Sequence, residues 1–256
     1  MLQSIDFVLT ADVDWASEYC IEHFLRIADM FSLKPNLFVT HESPAIRKAG
    51  SDGRAELAIH PNFLAGSTYG TSPDEVIDHV LKLVPDALAV RCHRYFGGAK
   101  TEDALAERGL RYDSNVCRHL QPDLMPEPLA SGLLRLPVFF EDDVHWDRGL
   151  SWDFAAHAAA FFSPGLKILN FHPFFVALNV PSASFYARHK RHIPTLTAQQ
   201  AELLRHPGAG AETFLIMSLE AILAAGHRFL SLGELVEDNP AWKQSSRPRV
   251  TPQPAD

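Results

Sequence analysis

The chain is poor in cysteine: Cys20, Cys92 and Cys117 are its only three in 256 residues. The number is odd and no C-x-x-C pair exists, which argues against a disulfide framework and fits a reducing compartment. Positive charge is also scarce. Lys and Arg total 23 against 31 acidic residues, a formal charge of −8. The densest basic cluster, Arg188-His189-Lys190-Arg191, reads as a solvated helix end or loop. Nucleic acid is therefore excluded as the main partner, because neutralising phosphates takes a larger positive face. No apolar run reaches the roughly 18 residues that span a bilayer, so no membrane partner is expected. The start, Met1-Leu2-Gln3-Ser4-Ile5-Asp6, has neither a basic n-region nor a long apolar h-region. These absences lead to the expectation of a cytoplasmic protein. Phosphate-loop, G-x-S-x-G and H-E-x-x-H patterns are missing as well.

What is present is an ordinary globular composition, 46% hydrophobic and 21% charged, at a length that suits one α/β core. Residues 1–244 are expected to form a single domain. Residues 245–256, rich in Arg, Pro and Gln without apolar anchors, are expected to be a disordered tail. Short apolar runs predict strands over 4–10, 37–40, 56–60, 87–92, 134–140, 166–171 and 227–231, with a further short strand after 109. Helical spacing predicts helices over 15–31, 72–84, 101–108, 152–162, 197–205 and 212–225. Ser72-Pro73-Asp74-Glu75 is a helix start, with an N-cap, Pro at N1 and acid in the first turn. Residues 118–133 and most of 174–195 read as loop. Alternating strands and helices imply a mostly parallel sheet with helices outside it, closed or doubly wound.

The polar residues choose between these. Asp12, Asp14, His41, His60, Arg91, His93, Asp142, Asp143, His145 and His172 all fall at or just past a strand's C-terminal end. Barrels build sites from many such ends, whereas an open sheet uses one crevice. The spread over several strands favours a barrel. Asp12 and Asp14, two apart in extended chain, share a side; one could bind a metal while the other serves as a base, or Asp14 could simply cap a helix. His60 ends an apolar strand and suits Zn, Fe or Ni, or is a buried histidine bonded to backbone. Arg91 could orient Asp12 through its fork, or form a structural ion pair. His172 titrates near neutral pH and could be a general acid. The run from Glu141 to Trp146 has metal-like ligand types at unspecific spacing. Trp146 and Tyr95 could line a sugar-binding wall or be core aromatics.

This pattern resembles the polysaccharide deacetylases of NodB homology, carbohydrate esterases on a distorted (β/α) barrel, usually of seven strands. Thr10-Ala11-Asp12-Val13-Asp14 is similar to the family's first motif, which implies Asp12 as catalytic base and Asp14 as metal ligand. Residues 55–60 resemble the entry to the second motif, with His60 as the first ligand histidine. Arg91 to Tyr95 resembles the third, whose Arg buttresses the base and whose aromatic residue shapes the pocket. The strand ending at His172 resembles the fifth, implying Leu169 in the acetyl pocket and His172 as general acid. The wording His60-Pro61-Asn62-Phe63 and Asn170-Phe171-His172-Pro173 is closest to the divergent WbmS- or WalW-like branch, linked to surface polysaccharide genes. One position departs. Leu64 stands where the family has its second ligand histidine, leaving Asn62, His41, His93 or His145 to supply the third ligand. The resemblance implies a divalent metal, Zn first with Fe, Ni, Co or Mn as alternatives. It also implies removal of acetyl from an N-acetylated sugar or polysaccharide precursor, so a small-molecule or oligosaccharide partner. Hydrolysis of another small amide, or a metal-free carbohydrate-binding scaffold, are the alternatives. Oligomeric state has no signature in the sequence.

Overall fold

The computed structural model describes residues 6–245. Its ten strands are β1 (Asp6–Asp12), β2 (Asn36–Val39), β3 (Glu56–Ile59), β4 (Ala89–Val90), β5 (Tyr112–Asp113), β6 (Glu127–Pro128), β7 (Leu134–Arg135), β8 (Val138–Glu141), β9 (Lys167–Phe171) and β10 (Arg228–Leu230). β1 is buried along almost its whole length, as a strand covered on both faces must be. It pairs in parallel with β9 on one edge and with β2 and β10 on the other.

The strand order is β6-β7-β5-β4-β3-β2-β1-β9-β8, with β10 set against β1. Every pairing is parallel except β6 with β7. The two ends of this path approach each other. Val138 donates its N–H to the Val116 carbonyl at 2.8 Å and accepts from Arg118 N–H at 2.8 Å. A parallel bridge between Cys117 and Val138 thus joins the chain after β5 to β8. The expected distorted barrel is the fold found. There are ten strand segments rather than seven: Pro137 separates β7 from β8, where a proline lacks the N–H a ladder needs. The small hairpin strand β6 and the short β10 make up the rest.

Helices cover the outside. The helix Glu18–Met30 starts at its Ser17 cap, not at Trp15, because Asp14 and Trp15 have positive φ (46° and 56°). The expected helix over 152–162 is broken into a short 3-10 turn and the helix Ala158–Phe161. The loop expected over 174–195 instead holds the helices Pro173–Leu178 and Ala183–His189. The aromatic packing of Phe140 against Phe171 and Phe214, at 5.1 and 4.9 Å between centroids, joins sheet to helix layer. The helix Pro240–Ser245 closes the described chain. The remainder of the expected tail, and residues 4 and 5 of the first expected strand, lie outside the described residues. Among the described residues no helix is long and apolar enough to cross a membrane.

Candidate active site

The C-terminal ends of β1, β3, β4, β8 and β9 meet at one mouth of the barrel. Two left-handed pairs turn the chain there. Asp14-Trp15 follows β1, and Arg94-Tyr95 follows β4, with φ of 57° and 54°. Non-glycine residues adopt this region at a cost of order 1–3 kcal/mol each, which persists only where surroundings hold it. Here Trp15 N–H donates to Thr40 Oγ1 at 3.0 Å and Tyr95 N–H to the Cys92 carbonyl at 2.8 Å. His93 N–H reaches the Pro61 carbonyl at 2.9 Å, which sets the chain after β4 beside the chain after β3.

As a result three side chains converge. Asp14 Oδ1 lies 3.1 Å from His60 Nε2 and 3.0 Å from His93 Nδ1. Their ligand-type atoms all fall within 4.8 Å of one another. One carboxylate and two imidazoles form a donor set that suits zinc and its neighbours in the first transition row. His60 is buried and its Nδ1 has no partner among the described residues, so the cluster is not a closed network that already satisfies itself. Burial raises the pKa of Asp14, but the two histidines beside it and the charge of His172 hold it well below the usual carboxylate range.

Asp12 lies deeper. Its Oδ1 accepts from Arg91 Nη1 at 2.7 Å. Arg91 is fully buried and also donates to Thr10 Oγ1, Asn170 Oδ1, and the carbonyl and hydroxyl of Ser114, at 2.6–3.1 Å. Its guanidinium stacks 4.1 Å from the Phe38 ring centroid. The fork is thereby fixed in one orientation. Burial pushes Asp12 up, yet Arg91, then His60 and His172, outweigh it, and Asp12 stays below its ordinary pKa.

His172 completes the group. Asp142 Oδ1 sits 2.7 Å from its Nδ1, and Asp142 Oδ2 accepts its backbone N–H at 2.8 Å. Its Nε2 faces the site, 3.7 Å from Asp14 Oδ2. Burial disfavours the imidazolium, but Asp142, Asp14 and Asp143 raise its pKa well above the ordinary value.

The other candidates fall elsewhere. His41 Nδ1 pairs with Thr40 Oγ1 at 3.0 Å, outside the Asp14 group. Asn62 Oδ1 accepts from Leu64 N–H at 3.1 Å, which spends its carbonyl on a turn. Leu64 lines a cavity of about 560 Å³ with Phe63, Val76 and Phe96. His145 is buried against Phe140, Trp152 and Phe214, bonded to His119 Nε2 and the Ser151 carbonyl at 3.2 and 2.8 Å. It points into the aromatic layer and is no ligand to the Asp14 group. Trp146 packs edge-on to Phe175 and against Tyr186, near His172. The Tyr95 hydroxyl donates to Glu141 Oε2, so its polar end faces the buried network under the site.

Leu169 falls on the other face of β9 from His172. Alternation along β9 puts it on the face of Phe171, toward the helix layer, while Asn170 and His172 share the inner face. The residue two before His172 is Asn170, and that spacing is what fixes the side. Ser114, and the roles of Thr10, Asn170, Glu141 and Asp142, escaped sequence reading. Only the period of two within β9, and the acidic run after β8, carried any trace of them.

The barrel and these strand ends define a polysaccharide-deacetylase-type protein of NodB homology. The family model described as "WbmS-like: Polysaccharide deacetylase" matches residues 9–190, and the chain belongs to that family. A solved structure from Bordetella bronchiseptica, described as a polysaccharide deacetylase involved in O-antigen biosynthesis (WbmS), is 26% identical. Its TM-score is 0.76, over 84% of this chain and 90% of that one. A polysaccharide deacetylase from Mycobacterium smegmatis shares the fold at 19% identity and TM-score 0.51, over 91% and 94% of the two chains. The Bc1960 peptidoglycan N-acetylglucosamine deacetylase shares it at 11% and 0.51, over 91% and 88%. No curated protein matches the chain.

Proposed function

We propose that this chain is a metal-dependent hydrolase that removes an acetyl group from an N-acetylated sugar or polysaccharide precursor. The observation that carries it is the meeting of Asp14, His60 and His93 beside an Arg91-held Asp12 and an Asp142-held His172. His93, from the end of β4, takes the third ligand place that Leu64 vacates. Asp14, His60 and His93 would hold a divalent ion, with zinc favoured by the two imidazoles. When bound, that ion supplies Lewis acidity toward the acetyl carbonyl and acidifies water.

The remaining work belongs to the chain. Asp12 Oδ1 is engaged by Arg91, and Oδ2 is left to take a proton from water. Arg91 keeps that carboxylate ionised and aimed, so the base is ready at neutral pH. His172 Nδ1–H donates to Asp142, which fixes the ring and leaves Nε2–H toward the site. Held as imidazolium, it donates that proton to the leaving amine. Two titratable groups are thus pushed apart by their surroundings, one toward base and one toward acid.

Metal analysis of the purified protein beside Asp14→Ala, His60→Ala and His93→Ala, with acetate release from N-acetylhexosamine glycosides, tests this. Stoichiometric metal in the wild type, lost in all three variants, is expected. Retention of full metal in His93→Ala would remove His93 from the ligand set, and trace metal in every sample would overturn the reading.

A further inference from the structure

The cavity of about 560 Å³ that Leu64 lines takes no part in the chemistry described above. Its walls are the loop after β3 and the first turns of the helices Pro73–Leu83 and Ala99–Glu107, which follow β3 and β4. In parallel strand–helix units the strand's end and the next helix's start share one edge of the sheet. The cavity therefore opens on the face that holds the Asp14 group. It is also close to that group. Phe63 follows His60 by three residues and Phe96 follows His93 by three, a span of at most about 11 Å. Phe96 N–H donates to the His93 carbonyl at 3.3 Å. Tyr69 pins the loop to the site: it is buried, and its hydroxyl donates to the Thr40 carbonyl. The rings of Tyr69 and His93 both lie against Trp15, at 6.0 and 5.2 Å between centroids.

The lining selects the occupant. Phe63 and Phe96, with rings 6.2 Å apart, form an aromatic wall, and Phe96 is 49% exposed. Aromatic surface left open at a cavity marks a ligand groove rather than core. The Ser67 and Ser72 hydroxyls accept the N–H groups of Tyr69 and Glu75, which leaves each a proton to donate. The Thr71 hydroxyl donates to Glu75, which leaves its oxygen to accept. Among the described residues no charged side chain lines the cavity. An anion has no place at the helix start there, because Glu75 Oε2 already takes the Thr71 and Ser72 N–H groups, at 2.6 and 3.2 Å. The lining thus suits a neutral group with an apolar face and a rim of hydroxyls.

We propose that this cavity is a second sugar subsite, which holds the neutral sugar unit next to the N-acetylated one in a saccharide chain. This rests on the deacetylase reading, and it narrows the substrate to a chain rather than a free or nucleotide-linked sugar. The C–H face of a pyranose packs on Phe63 and Phe96, while its hydroxyls exchange bonds with Ser67, Thr71 and Ser72. A nucleotide's diphosphate would meet no cation here.

The test uses the zinc-loaded protein with methyl N-acetylglucosaminide, N,N′-diacetylchitobiose and UDP-N-acetylglucosamine, and reads kcat/KM from acetate release. The disaccharide is expected to exceed the methyl glycoside about tenfold or more. Phe96→Ala removes half the wall, and Ala65→Trp fills the cavity from an exposed position; each should cut that ratio at least about threefold. A smaller wild-type ratio, a smaller cut in either variant, or a preference for the sugar nucleotide over the disaccharide would overturn the subsite while the deacetylase reading stands. Ligand-observed NMR binding to Asp12→Asn protein, with and without Phe96→Ala, separates the two claims. If the wild type releases no acetate from any of the three, the deacetylase reading fails, and the ratio of disaccharide to methyl glycoside binding decides the subsite by the same margins. Binding of neither sugar overturns it.

Discussion

Replacing Asp142 by Asn keeps the side chain's shape and removes its charge. Both Asp142 oxygens are used by His172, Oδ1 by Nδ1 at 2.7 Å and Oδ2 by the backbone N–H at 2.8 Å. The side chain is fully buried, so no water takes over. An amide can accept one of the two bonds, and its NH₂ then faces a second donor. A hydrogen bond to a charged group is worth about 1.5–3 kcal/mol. One pKa unit corresponds to about 1.4 kcal/mol, so His172 should fall by about one to two units. The sign follows from the raised pKa of the native imidazole. The proton that His172 must donate is held through neutral pH in the wild type and released at lower pH in the variant. The alkaline limb of the kcat/KM profile should therefore move down by about one to two units, with activity least affected on the acid side. NMR titration of the His172 ring in metal-free protein reads the same shift without turnover. An unmoved alkaline limb together with an unmoved ring titration would refute the control of His172 by Asp142.

Three further outcomes are expected. Arg91→Met should strand Asp12 as a buried unpaired charge and cost about 3–5 kcal/mol in urea unfolding, with Asp12→Asn in that background restoring part; a loss under about 1 kcal/mol would contradict the network. Burial pushes His119 down to about 3 and His145 down to about 4, below the ordinary value, so their contribution to stability is intact above about pH 6.5 and is lost as pH falls. At pH 5 each unfolded imidazole gains a proton its folded form lacks, about 2 kcal/mol apiece, and His145→Phe should shrink the pH 7 to pH 5 loss of unfolding free energy by about that amount; an unchanged loss would count against it. Leu169→Ala should act as a core cavity, costing about 2–5 kcal/mol of stability with KM for an acetylated sugar unaltered, whereas a raised KM at native stability would return Leu169 to the pocket.

The sequence by itself determined the alternation of strands and helices and the side of the sheet on which chemistry collects. It did so because a buried strand shows as a short apolar run, and polar residues just beyond it stand at the C-terminal edge. It also held the order of family motifs, and with it the barrel and the prominence of Asp12, Asp14, His60, Arg91 and His172. Spacing along the chain could not say which of His41, Asn62, His93 and His145 stands beside Asp14 and His60. That is a question of how the ends of β3 and β4 sit against each other, and the bond from His93 N–H to the Pro61 carbonyl settles it. Asp14 reaches the cluster through a left-handed turn rather than by strand alternation, and single-residue backbone geometry has no signature in a non-glycine sequence. The pairing of Asp142 with His172 joins residues 30 apart, and that of Arg91 with Asp12 joins residues 79 apart. Such contacts exist only once the parallel strands are in register, because what brings them together is the packing of β1, β4, β8 and β9 around one core.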